Sequence, residues 1–324
     1  MSPSSSWWDT PINIDGTATT AREWLQTAYL RMSDATIAEV LSKAVGKQVL
    51  VNQVTILRQR LNLRKTASGQ PVIFQESEAM RFDAPPVITT DDVLVLADVE
   101  VPFHDAAWCS DVVGLAIQWD IKTLILAGDF FHLRSLSSFS KRFLASGEHE
   151  LAFTEEIAPV ACFSDTLLQH FDEILLVLGN HEARLVRRLD TAMHADSIKW
   201  LLGFRLEKRF QVSAYYYAEV MASTGKWTVT HPKEAQVIPV RVAGRLADKY
   251  ESHIVAAHGH DWGETTSVAG RYAAACGCGA DIRRLDYPNL RQNLRPKMQQ
   301  GAFILHEGLP VLLHPKYAPP SMWL

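Results

Sequence analysis

Three short runs of this chain carry no polar face. Val93-Leu-Val-Leu-Ala97, Thr123-Leu-Ile-Leu-Ala127 and Glu173-Ile-Leu-Leu-Val-Leu178 are apolar at nearly every position. A strand with one face in water alternates. Unbroken apolar runs of this length read instead as strands covered on both faces, as in a parallel sheet flanked by other layers. Trp227-Thr-Val-Thr230 and His253-Ile-Val-Ala-Ala257 read as further strands. Ala302 to Leu305 and Val311 to Leu313 flank Glu307-Gly308 and predict a hairpin. From Asp91 onward the expectation is therefore an alternating α/β domain.

The five strands share one property: each runs into polar residues. They lead to Asp98, to Gly128-Asp129, to Gly179-Asn180-His181-Glu182, to His231, and to His258-Gly259-His260. In open α/β sheets ligands bind beyond the carboxyl ends of strands. Five such ends would gather carboxylates, an amide and imidazoles at one edge. Those oxygen and nitrogen donors suit Mn, Fe, Zn or Mg, and they lack the thiolates of a structural zinc site. Any one piece is weak, because an aspartate after a strand is usually a turn former or a helix cap. The ordered series is what carries weight.

The series resembles the calcineurin-like metallophosphoesterase superfamily, whose pattern is Asp-x-His, Gly-Asp, Gly-Asn-His-Asp/Glu, a single His, then Gly-His-x-His. The resemblance covers roughly residues 91–315. The local text Ala-Asp-Val-Glu-Val-Pro-Phe-His-Asp105 looks most like phage and prophage members. It implies a two-sheet sandwich flanked by helices, and hydrolysis of phosphoesters by water activated between two metals. One metal would be held by Asp98, residue 100, Asp129 and His260. The other would be held by Asp129, Asn180, His231 and His258, with Asp129 bridging. His181 matches the family histidine that protonates or stabilises the leaving oxygen, so His181 and Asp129 are the catalytic pair the resemblance implies.

Two departures stand out. The first motif reads Asp98-Val-Glu100, with glutamate where the family has histidine. Glutamate can ligate as a harder, anionic donor, which favours Mn²⁺, with Mg²⁺, Fe²⁺ or Zn²⁺ as alternatives. Alternatively Glu100 points away and His104 substitutes, or the first metal is weakened or lost. The last motif reads His258-Gly-His260, with the glycine moved between the histidines and both ligand positions kept. Nearby, Arg184 is a candidate for substrate phosphate. Arg187 and Arg188 read more simply as a solvated helix face, and His132 either faces the cleft or packs. Cys276-Gly-Cys278 reads as a buried small-residue turn, since no second cysteine pair lies at a usable spacing.

The first third of the chain differs in kind. Residues 1–19, rich in Ser, Thr, Pro and Gly, read as a flexible arm. Residues 20–65 read as three helices: one carrying Trp24, Leu25, Ala28 and Tyr29, one capped by Ser33 or Asp34, and one from about Asn52 to Leu63. Between Val40 and Lys65 lie six basic residues and no acidic one. This block resembles a helix-turn-helix DNA-binding domain. Lys47, Asn52, Gln53, Arg58, Arg60 and Arg64 are its candidate nucleic-acid contacts. The simpler reading is a helical bundle that packs or dimerises. Residues 66–90 read as a linker before the 91–324 phosphoesterase-like domain.

Global composition excludes some classes. With 47% hydrophobic residues in 324, the chain is not disordered. No apolar run approaches the ~20 residues of a membrane span. Met1-Ser-Pro-Ser-Ser-Ser-Trp-Trp lacks a secretory pattern, and four cysteines suit a reducing, cytoplasmic setting. Nucleic acid is the partner the basic helices suggest, and a homo-oligomer is compatible with the sequence. The expected activity is phosphoester hydrolysis on nucleic acid. The alternatives are a small-molecule or phosphoprotein phosphatase or phosphodiesterase, and a DNA-binding protein with a degenerate phosphoesterase domain.

Overall fold

The computed structural model describes residues 7–61 apart from 10 and 30, residue 63, residues 84–137, 152–189, 197–199, 208–285 apart from 235 and 237, residue 287 and residues 298–323. The chain divides into two compact units, Met1–Arg81 and Phe82–Leu324.

The first unit opens with a hairpin of β1 (Pro11–Ile14) and β2 (Thr17–Thr20), in antiparallel register. Over residues 11–19 this corrects the reading of a flexible arm. Ile12 and Ile14 alternate inward and are buried, and Asp15 and Gly16 both take positive φ between the strands. Three helices follow: α1 (Ala21–Ala28), α2 (Asp34–Val45) and α3 (Val51–Arg60). Thr20 and Glu23 form a capping box on α1, and the Ser33 hydroxyl accepts the Thr36 N–H at 3.1 Å to cap α2. Leu25, Ile37, Leu41, Val54 and Leu57 close a core over the two isoleucines. The unit is thus helical with a β-hairpin, rather than all-α.

In the second unit, two six-stranded sheets stack. One has the strands β3 (Val87–Thr89), β8 (Tyr217–Ala222), β9 (Gly225–Thr230), β10 (His253–Ala256), β12 (Tyr272–Cys276) and β11 (Trp262–Thr266), in that spatial order. The other runs β7 (Phe210–Val212), β6 (Glu173–Val177), β5 (Thr123–Ala127), β4 (Val93–Leu96), β13 (Ala302–His306) and β14 (Leu309–Leu313). The expected α/β two-sheet sandwich flanked by helices is what the topology delivers. β3 falls in the stretch read as linker. It pairs parallel to β8 at the sheet edge, and three residues are too short to stand out in a Pro-rich segment.

Burial explains why the apolar runs do not alternate. Val93 and Val95 face the core between the sheets, with Ile125, Leu175, Val220 and Val229. Leu94 and Leu96 face the opposite way, into a core with Trp108, Val112 and Leu115 of α4 (Ala106–Gln118) and with Val160 and Leu167 of α5 (Phe153–Leu168). Both faces of this sheet are covered, so both parities must be apolar. On the outer face of the other sheet, Ala243 and Ala247 of α7 (Arg241–Tyr250) pack on Ile254 and Ala273. α6 (Ala183–Leu189) follows β6. β4, β5 and β6 are parallel neighbours in one sheet, and β9 and β10 in the other. Their carboxyl ends therefore come to a shared edge.

Candidate metal centre

Asp129 is the hub of that edge. Its Oδ1 accepts the His181 backbone N–H at 2.7 Å. Its Oδ2 lies 3.4 Å from His231 Nε2 and 3.6 Å from His181 Nε2. Burial alone would raise its carboxyl, but His181 and His231 hold it well below the ordinary carboxylate range. His231 closes the group: its Nδ1–H donates to the Ala127 carbonyl at 3.0 Å, which turns Nε2 toward Asp129 and toward Asn180 Oδ1 at 3.1 Å. Asp129, His231 and His258 offer ligand atoms within 4.8 Å of one another. These side chains come from the ends of β5, β9 and β10, and Asn180 from the end of β6, as the sequence series requires.

A second set gathers beside it. Asp98 is buried, its Oδ2 accepting the His258 N–H at 2.9 Å. Its Oδ1 sits 3.0 Å from His260 Nε2 yet has no hydrogen-bond partner. Glu100 is fully buried, with Oε1 3.3 Å from His260 Nε2 and Oε2 directly against His132 Nδ1. Burial opposes its ionisation, but His181, His132 and His260 bring its pKa down to about 2. Glu100 thus points into the cluster. His104 packs its ring on Phe163 and bridges in the backbone to Ala280, and it belongs to neither metal-spaced donor group among the described residues.

Sequence reasoning left one neighbour undecided and missed another. His132, for which facing the cleft and packing were both open, is buried on Glu100. The missed neighbour is Tyr287, whose hydroxyl donates to Glu100 Oε1 at 2.8 Å. No motif marks it, because it stands 187 residues from Glu100 along the chain.

Two further acidic and basic groups hold the loops. Glu182 is buried and accepts N–H bonds from Gly179 at 2.7 Å and from Asp129 and Phe131 at 3.1 Å each, tying the β5 end to the β6 end. Burial and the Asp129 charge push its carboxyl up to about 7. Arg184 donates from Nη1 to the carbonyls of His132 and Leu133, so it braces the loop that carries His132. Arg187 donates to Asn180 O, and Arg188 to the Leu136 and Ser137 carbonyls. Cys276 and Cys278 are buried, and neither belongs to a group of metal-spaced donors among the described residues.

Backbone conformation marks the same residues. Asp98, Glu100, Asp129, His258 and His260 all take left-handed φ, between +46° and +72°. Non-glycine residues do so at a cost, and such outliers cluster at functional sites. Gly128, at φ +79°, could not carry a side chain: a Cβ there would meet the His231 ring at 2.4 Å.

The donors present fit divalent cations. They are all oxygen and imidazole nitrogen, and they are mostly buried, with the Asp98 and Glu100 carboxylates both set against His260 Nε2. In the ion-free protein the carboxylates hold protons on His231 and His260 instead. Burial lowers the His231 pKa, but Asp129 overrides this and lifts it from 6.5 to about 10. His260 is likewise raised, against burial, by Asp98. A raised folded-state pKa stabilises fully below the unfolded value and loses that contribution as pH climbs through the folded one. The metal-free protein should therefore lose at least ~5 °C of melting temperature between about pH 6.5 and 10. Mn²⁺, competing with those protons, should remove the trend. Melting curves with and without Mn²⁺ check this; a metal-free curve flat across that window would refute it.

In the first unit the candidate nucleic-acid residues divide. Arg58 pairs with Asp34 at 3.2 Å and donates to the Leu63 carbonyl at 2.9 Å. Gln53 Oε1 folds back to accept the Leu50 N–H at 3.0 Å. Both side chains are engaged within the unit. Lys47, Asn52 and Arg60 are exposed, and Arg64 lies outside the described residues. Among the described residues no helix is long and apolar enough to cross a membrane.

No protein-family model matches the chain, and no curated protein matches it in sequence. Similar solved structures include Vacuolar Protein Sorting 29 from Cryptosporidium parvum, at 15% identity and TM-score 0.37, covering 69% of this chain and 95% of that one. Wild-type Vps29 of Entamoeba histolytica, complexed with Zn²⁺, matches at 15% identity and TM-score 0.34, covering 68% and 97%. Likeness at this level bears on neither activity nor partners.

Proposed function

We propose that this chain is a metal-dependent phosphoester hydrolase acting on nucleic acid. The observation that carries the reading is the convergence of five strand ends, from two sheets, on Asp129. Asp98, Glu100, Asp129 and His260 would hold one divalent ion, and Asp129, Asn180, His231 and His258 the other, with Mn²⁺ the best match to a carboxylate-rich set. Two such ions would acidify a water and clamp the phosphoryl oxygens of an in-line displacement.

The chain's own groups do the rest. His231 Nε2 must give up a proton before it can ligate, and its Nδ1–H bond to Ala127 keeps Nε2 as the donor atom afterwards. His181 is the proton carrier. Its Nδ1–H donates to the Phe131 carbonyl at 3.1 Å, leaving Nε2 to exchange a proton with a leaving oxygen. Burial lowers its pKa to about 4 despite Asp129 and Glu100, so the ring rests neutral near pH 7. Arg184, braced on the His132 and Leu133 carbonyls, is the candidate cation for substrate phosphate.

His181→Ala should keep both ions and lose ~10²–10⁴-fold in turnover. Metal analysis beside rates on a substrate with a poor leaving group checks this; an unchanged rate would remove His181 from the mechanism.

The substrate class rests on the first unit. Arg60 ends α3 exposed, in a stretch from Val40 to Lys65 with six basic residues and no acidic one, so full-length protein should bind DNA weakly, with a log–log salt slope of about −0.9 per phosphate contact. Fluorescence anisotropy at 50–300 mM salt would read it, and binding insensitive to salt would favour the packing role. The decisive assay takes metal-depleted protein with Mn²⁺, Mg²⁺ or Zn²⁺ restored, on single- and double-stranded DNA, RNA and an aryl phosphodiester. Cleavage of the aryl ester alone would move the substrate to small molecules. No cleavage of any substrate with any metal would sink the enzyme reading.

A further inference from the structure

We propose that His132 is itself a metal ligand, forming with Glu100 a cation site beside the Asp129–His231–His258 group. The inference rests on the metal-dependent reading and adds a donor to it.

Glu100, His132 and His181 are all buried and offer ligand atoms within 4.8 Å of one another. They come from the ends of three different strands, β4, β5 and β6. His181 spends its Nδ1–H on Phe131, so the pair that faces itself is Glu100 Oε2 and His132 Nδ1. Both are held in one orientation. The His132 backbone N–H donates to Val101 O at 3.0 Å, and its carbonyl accepts from Arg184. Phe103 packs edge-on against its ring, with centroids 4.7 Å apart. On the other side, the Tyr287 hydroxyl fixes Glu100 Oε1 at 2.8 Å, within reach of His260 Nε2. Glu100 therefore spans two imidazoles, one per oxygen.

Glu100 reaches this pose from φ +49°, a conformation that a glutamate adopts at a cost. Donors prearranged around a buried anion are what a cation site needs, since desolvation is already spent in folding. The rival account is a plain hydrogen-bonded pair, with His132 orienting Glu100 and never touching an ion. The two accounts differ in what Mn²⁺ sees.

The test uses full-length, metal-stripped protein and Mn²⁺ alone. Calorimetry gives the number and affinity of ions, and the nitrogen couplings in the Mn²⁺ spin-resonance signal count bound imidazoles. His132→Ala should weaken one ion by ~30-fold or more, leave the other unchanged, and remove one nitrogen from the signal. Weaker binding with the nitrogen count intact would reduce His132 to a positioning residue and overturn the proposal. So would two ions bound with wild-type affinity. Melting curves report whether the variant folds. If it does not, crystals of the wild-type protein grown with Mn²⁺ decide: an ion bonded to His132 supports the assignment, and His132 still paired to Glu100 beside a bound ion overturns it. Wild-type protein that binds no Mn²⁺ at all would instead overturn the metal-dependent reading beneath it.

Discussion

Asp129→Asn should cost at least ~10³-fold in phosphoester hydrolysis while the chain still folds. The asparagine keeps the shape of the side chain, and its oxygen can still accept the His181 N–H. What disappears is the charge beside His231 Nε2 and His181 Nε2. That charge lifts His231 to about pKa 10, so the neighbouring imidazole answers by losing its proton, which limits the stability cost of a broken buried pair. An ion at this hub would lose a shared anionic ligand, and several kcal/mol of transition-state stabilisation at ~1.4 kcal/mol per decade gives the expected factor. Initial rates together with bound-metal analysis check it. A variant retaining more than about a tenth of wild-type turnover would show that Asp129 is not the bridge.

Gly179→Ala should be as damaging, by a steric route. A Cβ at this position would meet Asp129 Oδ1 at 2.2 Å and the Asp129 backbone N at 2.3 Å. Backbone cannot step aside as a flexible side-chain tip can. Both Asp129 and Glu182, whose Oε2 would lie 2.9 Å from the new carbon, would have to move. Overpacking of this kind costs ~1–3 kcal/mol in stability. The larger loss is functional, because the displaced atoms include the Asp129 carboxylate at the hub of the candidate centre. Thermal melts and Mn²⁺ titration of the variant would separate the two effects. Wild-type Mn²⁺ affinity in Gly179→Ala would mean that the β5 and β6 ends do not approach as described.

Much of this was legible before any coordinates. Unbroken apolar runs fixed which strands are buried on both faces, and the polar residue after each run gave Asp98, Asp129, Asn180, His231 and His258 their place. Local signals also existed for what was misjudged. Asp15-Gly16 between Ile-Asn-Ile and Thr-Ala-Thr is a two-residue hairpin turn, overlooked because Ser, Thr and Pro around it suggested a loose arm. Other features had no local signal. Tyr287 meets Glu100 only through the fold. Arg58 looked like an outward cation until Asp34, 24 residues earlier, came to face it. Spacing along one element can say which residues share a face, but not which charge from another element will occupy it.

The left-handed backbone at five candidate ligands sets stability against function. Each departure from the ordinary conformation carries a cost of order 1–3 kcal/mol, less for aspartate and histidine than for glutamate. Glycine would adopt the same conformation without that cost, and it would bring no donor atom. The edge that collects the candidate donors is therefore one place where the chain gives up stability to hold them. A screen for heat resistance that ignored activity could find gains there, and each gain of that kind would delete a candidate ligand.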